Sequence, residues 1–240
     1  MDARALSQFY KSTLGQRSRR LIFTRLRRIW PHVKGLRVLG YGFALPYLPP
    51  FLSEAERVIA VSPAEMGVFS WPAGRRLTTL AEEDALPFPD AFFDRVLVVH
   101  GLEGAQSLRV LLRQLWRVLA PEGKLLVVAP NRASLWAQVE RSAFATGRPF
   151  SRTELDALLK SALFEPEVWS HALFAPPFKS RALVGSGAGW DRIGGKFFSG
   201  LGGVHLVEAR KSLYAPATPA TAPVTSSPLG AFLKPAGQPD

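Results

Sequence analysis

Two short apolar runs on either side of one amphipathic stretch constrain this chain more than anything else in it. Residues 95–99 (RVLVV) and 124–129 (KLLVVA) are apolar without alternation, as strands covered on both faces are. Between them Leu108, Leu111, Leu112, Leu115, Val118 and Leu119 recur at helical spacing, with Arg109, Arg113 and Arg117 on the opposite face. Pro121-Glu122-Gly123 is a helix-breaking turn. Strand, crossover helix and strand in this order predict a parallel βαβ unit over residues 85–131.

The same stretch carries a specific combination of motifs. Leu86-Pro87-Phe88-Pro89-Asp90 is followed by Phe93-Asp94-Arg95-Val96, and the second strand is preceded by Arg117-Val118-Leu119-Ala120-Pro121-Glu122-Gly123. Together they resemble the central part of a class I S-adenosylmethionine-dependent methyltransferase of the broad type 11 kind. The resemblance extends over roughly residues 36–131. It implies an α/β, Rossmann-like fold: a seven-stranded, mostly parallel sheet with helices on both faces. It also implies S-adenosylmethionine as cofactor and in-line transfer of its methyl group to an acceptor that the motifs do not specify.

Charge divides the chain. The 240 residues carry a net charge of +11, and residues 1–37 hold ten Lys and Arg against Asp2 alone. The expected organisation is a basic helical cap over residues 1–34, an α/β domain over 35–214 and a Pro/Ala/Thr-rich disordered tail over 215–240. The cap reads as two helices, residues 3–12 and 15–30, and beyond residue 131 helices are expected near 134–141, from the capping box Ser151-Arg152-Thr153-Glu154 to about residue 163, and within 190–198. In the second cap helix, Leu21, Ile22, Leu26, Ile29 and Trp30 form an apolar stripe, and Arg19, Arg20, Arg25, Arg27 and Arg28 lie largely off it. That basic face is either simply solvated or a surface for nucleic acid, acidic protein or anionic lipid. Cysteine is absent, which removes disulfides, thiolate metal sites and thiolate nucleophiles. No apolar run is long enough to span a bilayer, and a cytoplasmic location is expected.

The candidate site follows from the carboxyl ends of the strands, where open α/β sheets bind ligands. Gly40-Tyr41-Gly42 ends the first strand, with a helix expected after it. By the resemblance, Gly40 stands where the family has an acidic residue that contacts the methionine part of the cofactor. Gly42 then falls on the first family glycine, and Ala44 and Pro46 on the next two. Ser62 stands where a carboxylate would accept both ribose hydroxyls. Glu82, with Glu83 beside it, matches the acidic residue that accepts from the adenine amino group. Phe9 and Tyr10 would cap the pocket, and Trp169 and His171 would line a substrate lid, unless those aromatics pack in the core. His100 ends the fourth strand, where it could act as general base, line the cofactor pocket or sit idle at the surface.

Two functions follow. One is a methyltransferase of unspecified acceptor: by the resemblance, the missing Asn-Pro-Pro-aromatic motif after the fourth strand speaks against the usual amino-methylating DNA and protein-glutamine enzymes, and the absence of cysteine rules out 5-methylcytosine chemistry through a thiolate adduct. The other is a catalytically inactive methyltransferase-like scaffold or binding subunit that works through the basic N-terminal helix. No His/Asp/Glu grouping has metal-ligand spacing.

Overall fold

A computed structural model describes residues 2–72, 74–139, 142–177 and 201–213. The expected helix within residues 190–198 and the tail over 215–240 lie outside the described residues. The chain forms one seven-stranded sheet in the order β3-β2-β1-β4-β5-β7-β6. Strands β1 (Arg37–Gly42), β2 (Arg57–Pro63), β3 (Thr78–Ala81), β4 (Phe93–Val99) and β5 (Leu119–Pro130) run parallel. β7 (Val204–Lys211) is antiparallel to both β5 and β6 (Phe164–Ala172). The order reverses between β1 and β4, so the ligand crevice of an open sheet belongs at their carboxyl ends.

Each face of the sheet carries its own core. On one face lie α1 (Ala3–Lys11) and α2 (Thr13–Ile29), with Leu6, Ile22, Leu26 and Trp30 packed among Val38, Leu97, Leu126 and Leu206. The opposite face is covered by α3 (Leu108–Val118) and α4 (Arg152–Ser161), where Leu111, Leu112, Leu115, Leu155 and Leu159 meet Leu39, Val96, Val98 and Val127. Helix α4 begins with the capping box expected from Ser151-Arg152-Thr153-Glu154. α1 and α2 meet at Ser12, whose hydroxyl accepts from Gly15 N and starts α2 two residues before the expected point.

The motif residues explain one another. The Arg117 guanidinium on α3 donates to the carbonyls of Leu86 and Phe88, both at 2.8 Å, and to Asp90 Oδ1 at 2.7 Å. The loop leading into β4 is therefore clamped by the helix that leaves it, which is why the two motifs occur together. Gly123 lies within β5, and a Cβ there would meet Leu119 Cγ at 2.6 Å. Pro121-Glu122-Gly123 belongs to a register irregularity of β5 against β4 rather than to a separate turn.

Two local expectations need correction. No α-helix follows β1. Residues Leu45–Tyr47 and Pro49–Ser53 form short 3-10 turns, each with proline in its first positions. Pro46, Pro49 and Pro50 supply no N–H donors and restrict the residue before each, so a regular helix cannot propagate. The short helix expected near residues 134–141 is a single 3-10 turn, Leu135–Ala137.

Candidate functional site

The carboxyl end of β4 carries a buried polar chain. His100 is 1% exposed and adopts a left-handed backbone conformation, φ 51°. A non-glycine residue held there signals a local constraint. Its Nε2 lies 2.9 Å from Tyr10 Oη on α1, and Tyr10 Oη lies 3.1 Å from Tyr47 Oη. Its Nδ1 lies 3.3 Å from Glu103 Oε1, and both side chains are almost fully enclosed. Glu103 Oε2 accepts from Leu102 N, which fixes the carboxylate. Burial, followed by the neighbouring Tyr47 and Glu103, pushes the Tyr10 hydroxyl well above its ordinary range, so Tyr10 is a neutral phenol. Tyr10 stacks on Phe43, and Phe144 covers the other side of His100.

The loop after β1 is drawn onto this end of β4. Phe43 N donates to Val99 O at 2.7 Å, and Gly42 has φ 80°. A Cβ at Gly42 would run into Val99 O and lie 2.9 Å from Gly101 Cα. A Cβ at Gly40 would meet Leu48 Cδ1 at 2.7 Å and Ala44 Cβ at 2.9 Å, so this glycine admits the 3-10 segment. Ser62 is buried, with its hydroxyl 3.4 Å from Gly42 O.

An acidic cavity of about 290 Å³ opens beyond β2 and β3. Glu65, Glu82, Glu83 and Asp84 line it together with Gln106. Glu83 accepts from Gln106 N and Ser107 N, both at 3.1 Å, and so places a carboxylate at the amino end of α3. Gln106 Nε2 also donates to Glu65 Oε1. Tyr41 Oη is buried and among the described residues has no hydrogen-bond partner, and burial, with Glu83 and Glu82 nearby, raises its pKa. An orphaned phenol beside carboxylates and a cavity of nucleoside size fit the adenosine portion of the family cofactor.

Sequence-selected residues therefore separate into groups. Tyr10 and His100 are hydrogen-bonded to each other, and Phe9 packs edge-on to Tyr10 and Phe144. Glu82 and Glu83 share the acidic cavity. Trp169 and His171 lie on the edge strand β6, clustered with His205 of β7. Glu103, Tyr47 and Phe144 were not selected. His100 and Glu103 stand three residues apart, a spacing that could have drawn attention to the pair.

His205 is 2% exposed, and among the described residues neither ring nitrogen has a hydrogen-bond partner. Burial, then the neighbouring His171, depresses its pKa to about 4. Unfolded, this ring takes a proton near its ordinary 6.5; folded, it stays neutral down to about 4. Its contribution is thus complete above pH 6.5 and is lost as pH falls from there towards 4, by about 3 kcal/mol. His205→Phe should flatten the stability profile over that interval, measured by denaturant unfolding at each pH. An unchanged slope would refute the assignment.

On α2, Arg27 forms a paired contact with Glu54 at 2.9 and 3.0 Å, and Arg19 Nη1 donates to Pro46 O at 3.2 Å. Arg20 and Arg28 are exposed, and Arg25 is half-buried. Among the described residues no group could hold a metal ion, and no helix is long and apolar enough to cross a membrane.

Residues 39–127 match the model of a methyltransferase domain family, type 11. The chain is 32% identical over 118 residues to the demethylmenaquinone methyltransferase of Thermus thermophilus, covering 48% of this chain and 47% of that protein. It spans between about a fifth and a half of the length of the curated relatives it matches. A methyltransferase of Aquifex aeolicus superposes with a TM-score of 0.56 at 18% identity, over 86% of this chain and 98% of the other. The 1,6-didemethyltoxoflavin-N1-methyltransferase of Burkholderia thailandensis, a structure with S-adenosylhomocysteine bound, gives 0.53 at 19% identity over 79% and 76%. At such identities the structural likeness establishes the fold.

Proposed function

We propose that the chain is a class I S-adenosylmethionine-dependent methyltransferase that transfers a methyl group from that cofactor to a small-molecule acceptor, a reading supported by the family match over residues 39–127 and by the fold. The observation that carries this reading is the pairing of an acidic, nucleoside-sized cavity beyond β2 and β3 with a buried His–Tyr chain at the end of β4. Bound S-adenosylmethionine supplies an electrophilic methyl on a sulfonium, so the protein's task is alignment and exclusion of water. Glu82 and Asp84 would accept from the hydroxyl and amino groups of the nucleoside, with Tyr41 Oη as an added donor. Glu83 stays engaged at the amino end of α3. Gly42 keeps the floor of the crevice free of a side chain.

Tyr10 and His100 handle the acceptor's proton. Tyr10 Oη takes that proton while passing its own to His100 Nε2. The positive charge so formed on the imidazole faces Glu103 Oε1 across 3.3 Å. The exposed Arg20 and Arg28 of α2 offer a surface for an anionic partner.

Calorimetric titration with S-adenosylmethionine and S-adenosylhomocysteine tests the reading. Saturable binding of both is expected, and Glu82→Lys with Asp84→Lys should weaken it at least tenfold. If neither compound binds to folded protein, the methyltransferase reading fails.

A further inference from the structure

A second cavity, of about 420 Å³, lies between α1, the start of α2, the loop after β1 and the loop after β2. Its composition is opposite to that of the first. Phe43, Leu45, Pro46, Phe69 and Trp71 give it an apolar lining, and Lys11 and Arg19 supply two cations. Among the described residues no carboxylate lines it, whereas four carboxylates and no cation line the acidic cavity. Phe69 is 37% exposed and Trp71 half-buried, so apolar surface stands open to water beside fixed positive charge.

Arg19 is held at the rim by its bond to Pro46 O, and among the described residues its remaining donors make no hydrogen bond. An aromatic or polyunsaturated body on Phe69 and Trp71 would leave a carboxylate, sulfonate or phosphate within the field of Lys11 and Arg19. Tyr10 belongs to both places: it lines this cavity, and its hydroxyl bonds His100 Nε2. The cavity is therefore joined to the buried polar chain, not a remote surface dent.

We propose that this cavity binds an apolar, ring-bearing molecule that carries one anionic group, and that the acceptor is of this class. The acceptor role rests on the methyl-transfer reading above; the binding preference does not. The two cavities then sort their ligands by charge. The cationic sulfonium compound suits the acidic one, and the anionic aromatic suits the basic one.

The test uses 1-anilinonaphthalene-8-sulfonate and its uncharged relative N-phenyl-1-naphthylamine, followed by their fluorescence with the folded full chain. The sulfonate should saturate at one site per chain and bind at least tenfold more tightly than the neutral dye. Lys11→Glu with Arg19→Glu should remove that preference, and added salt should reduce it. Phe69→Asp should weaken both dyes while circular dichroism stays unchanged. Saturating S-adenosylhomocysteine should not displace the sulfonate. Equal affinity for the two dyes, indifference to the charge reversals, or displacement by S-adenosylhomocysteine would each overturn the proposal; the last would give the cavity to the cofactor. Failure of S-adenosylhomocysteine to bind at all, with the dye preference intact, would instead count against the methyl-transfer reading alone.

Discussion

Gly42→Val should cost roughly 3–5 kcal/mol of stability, because two penalties fall on one residue. The backbone sits at φ 80°, where a β-branched residue is strained. The new Cβ would also run into Val99 O and the Gly101 backbone, neither of which is the far end of a flexible side chain. The contact it would disrupt includes the 2.7 Å bond from Phe43 N to Val99 O, which closes the loop after β1 onto β4. Chemical denaturation measures the loss, and titration with S-adenosylhomocysteine should find no binding in whatever folded protein remains. Gly42→Ala keeps the fold within easier reach, with a smaller loss of stability and a weakened affinity. Wild-type stability and affinity in both variants would mean that the loop is free to move away from β4, and the close approach would carry no functional weight.

The second large effect is at Glu208. This carboxylate is buried on β7, accepts from Trp30 Nε1 at 2.6 Å and receives Lys124 Nζ at 3.1 Å. Burial opposes the charge on Lys124, but hydrogen bonds and attraction from Glu208 and Glu167 outweigh it and hold the ammonium above its usual pKa. Glu208→Ala leaves the Trp30 N–H buried without an acceptor and removes one of the two carboxylates at Lys124. The expected loss is about 3 kcal/mol, or roughly 10 °C in the thermal midpoint. Glu208→Gln keeps an acceptor for Trp30 and should lose much less. Equal midpoints for the two variants would mean that the buried bond to Trp30 contributes little. The same bond ties α2 to the sheet, so Glu208→Ala should also increase proteolysis within α1 and α2.

The basic cap and the sheet are one folding unit in these terms. Tyr10 reaches His100, Trp30 reaches Glu208 and Arg27 reaches Glu54. A segment marked in the sequence by its positive charge is tied to the sheet by two buried aromatic side chains and one ion pair.

The βαβ unit at the centre was legible in the chain, because a parallel strand covered on both faces must be apolar throughout and a crossover helix must be amphipathic. The motifs at residues 86–90 and at Arg117 were both visible in the chain, but the clamp that joins them emerged only in the folded structure. The interruption after β1 was equally present in Pro46, Pro49 and Pro50, and the family pattern masked it. Glycine's role was only partly legible. Gly40 and Gly42 stand two residues apart in one strand, yet one makes room for Leu48 and the other for Val99 and Gly101. Tertiary structure alone decided the partners of His100, because Tyr10 lies 90 residues away and no local pattern encodes that distance. It alone also separated Trp169 and His171 from His100, since strand order, not sequence order, decides which strand ends become neighbours. Local periodicity and steric limits act over a few residues and are written in the chain. Hydrogen bonds between strand ends and a capping helix depend on where the whole sheet carries them.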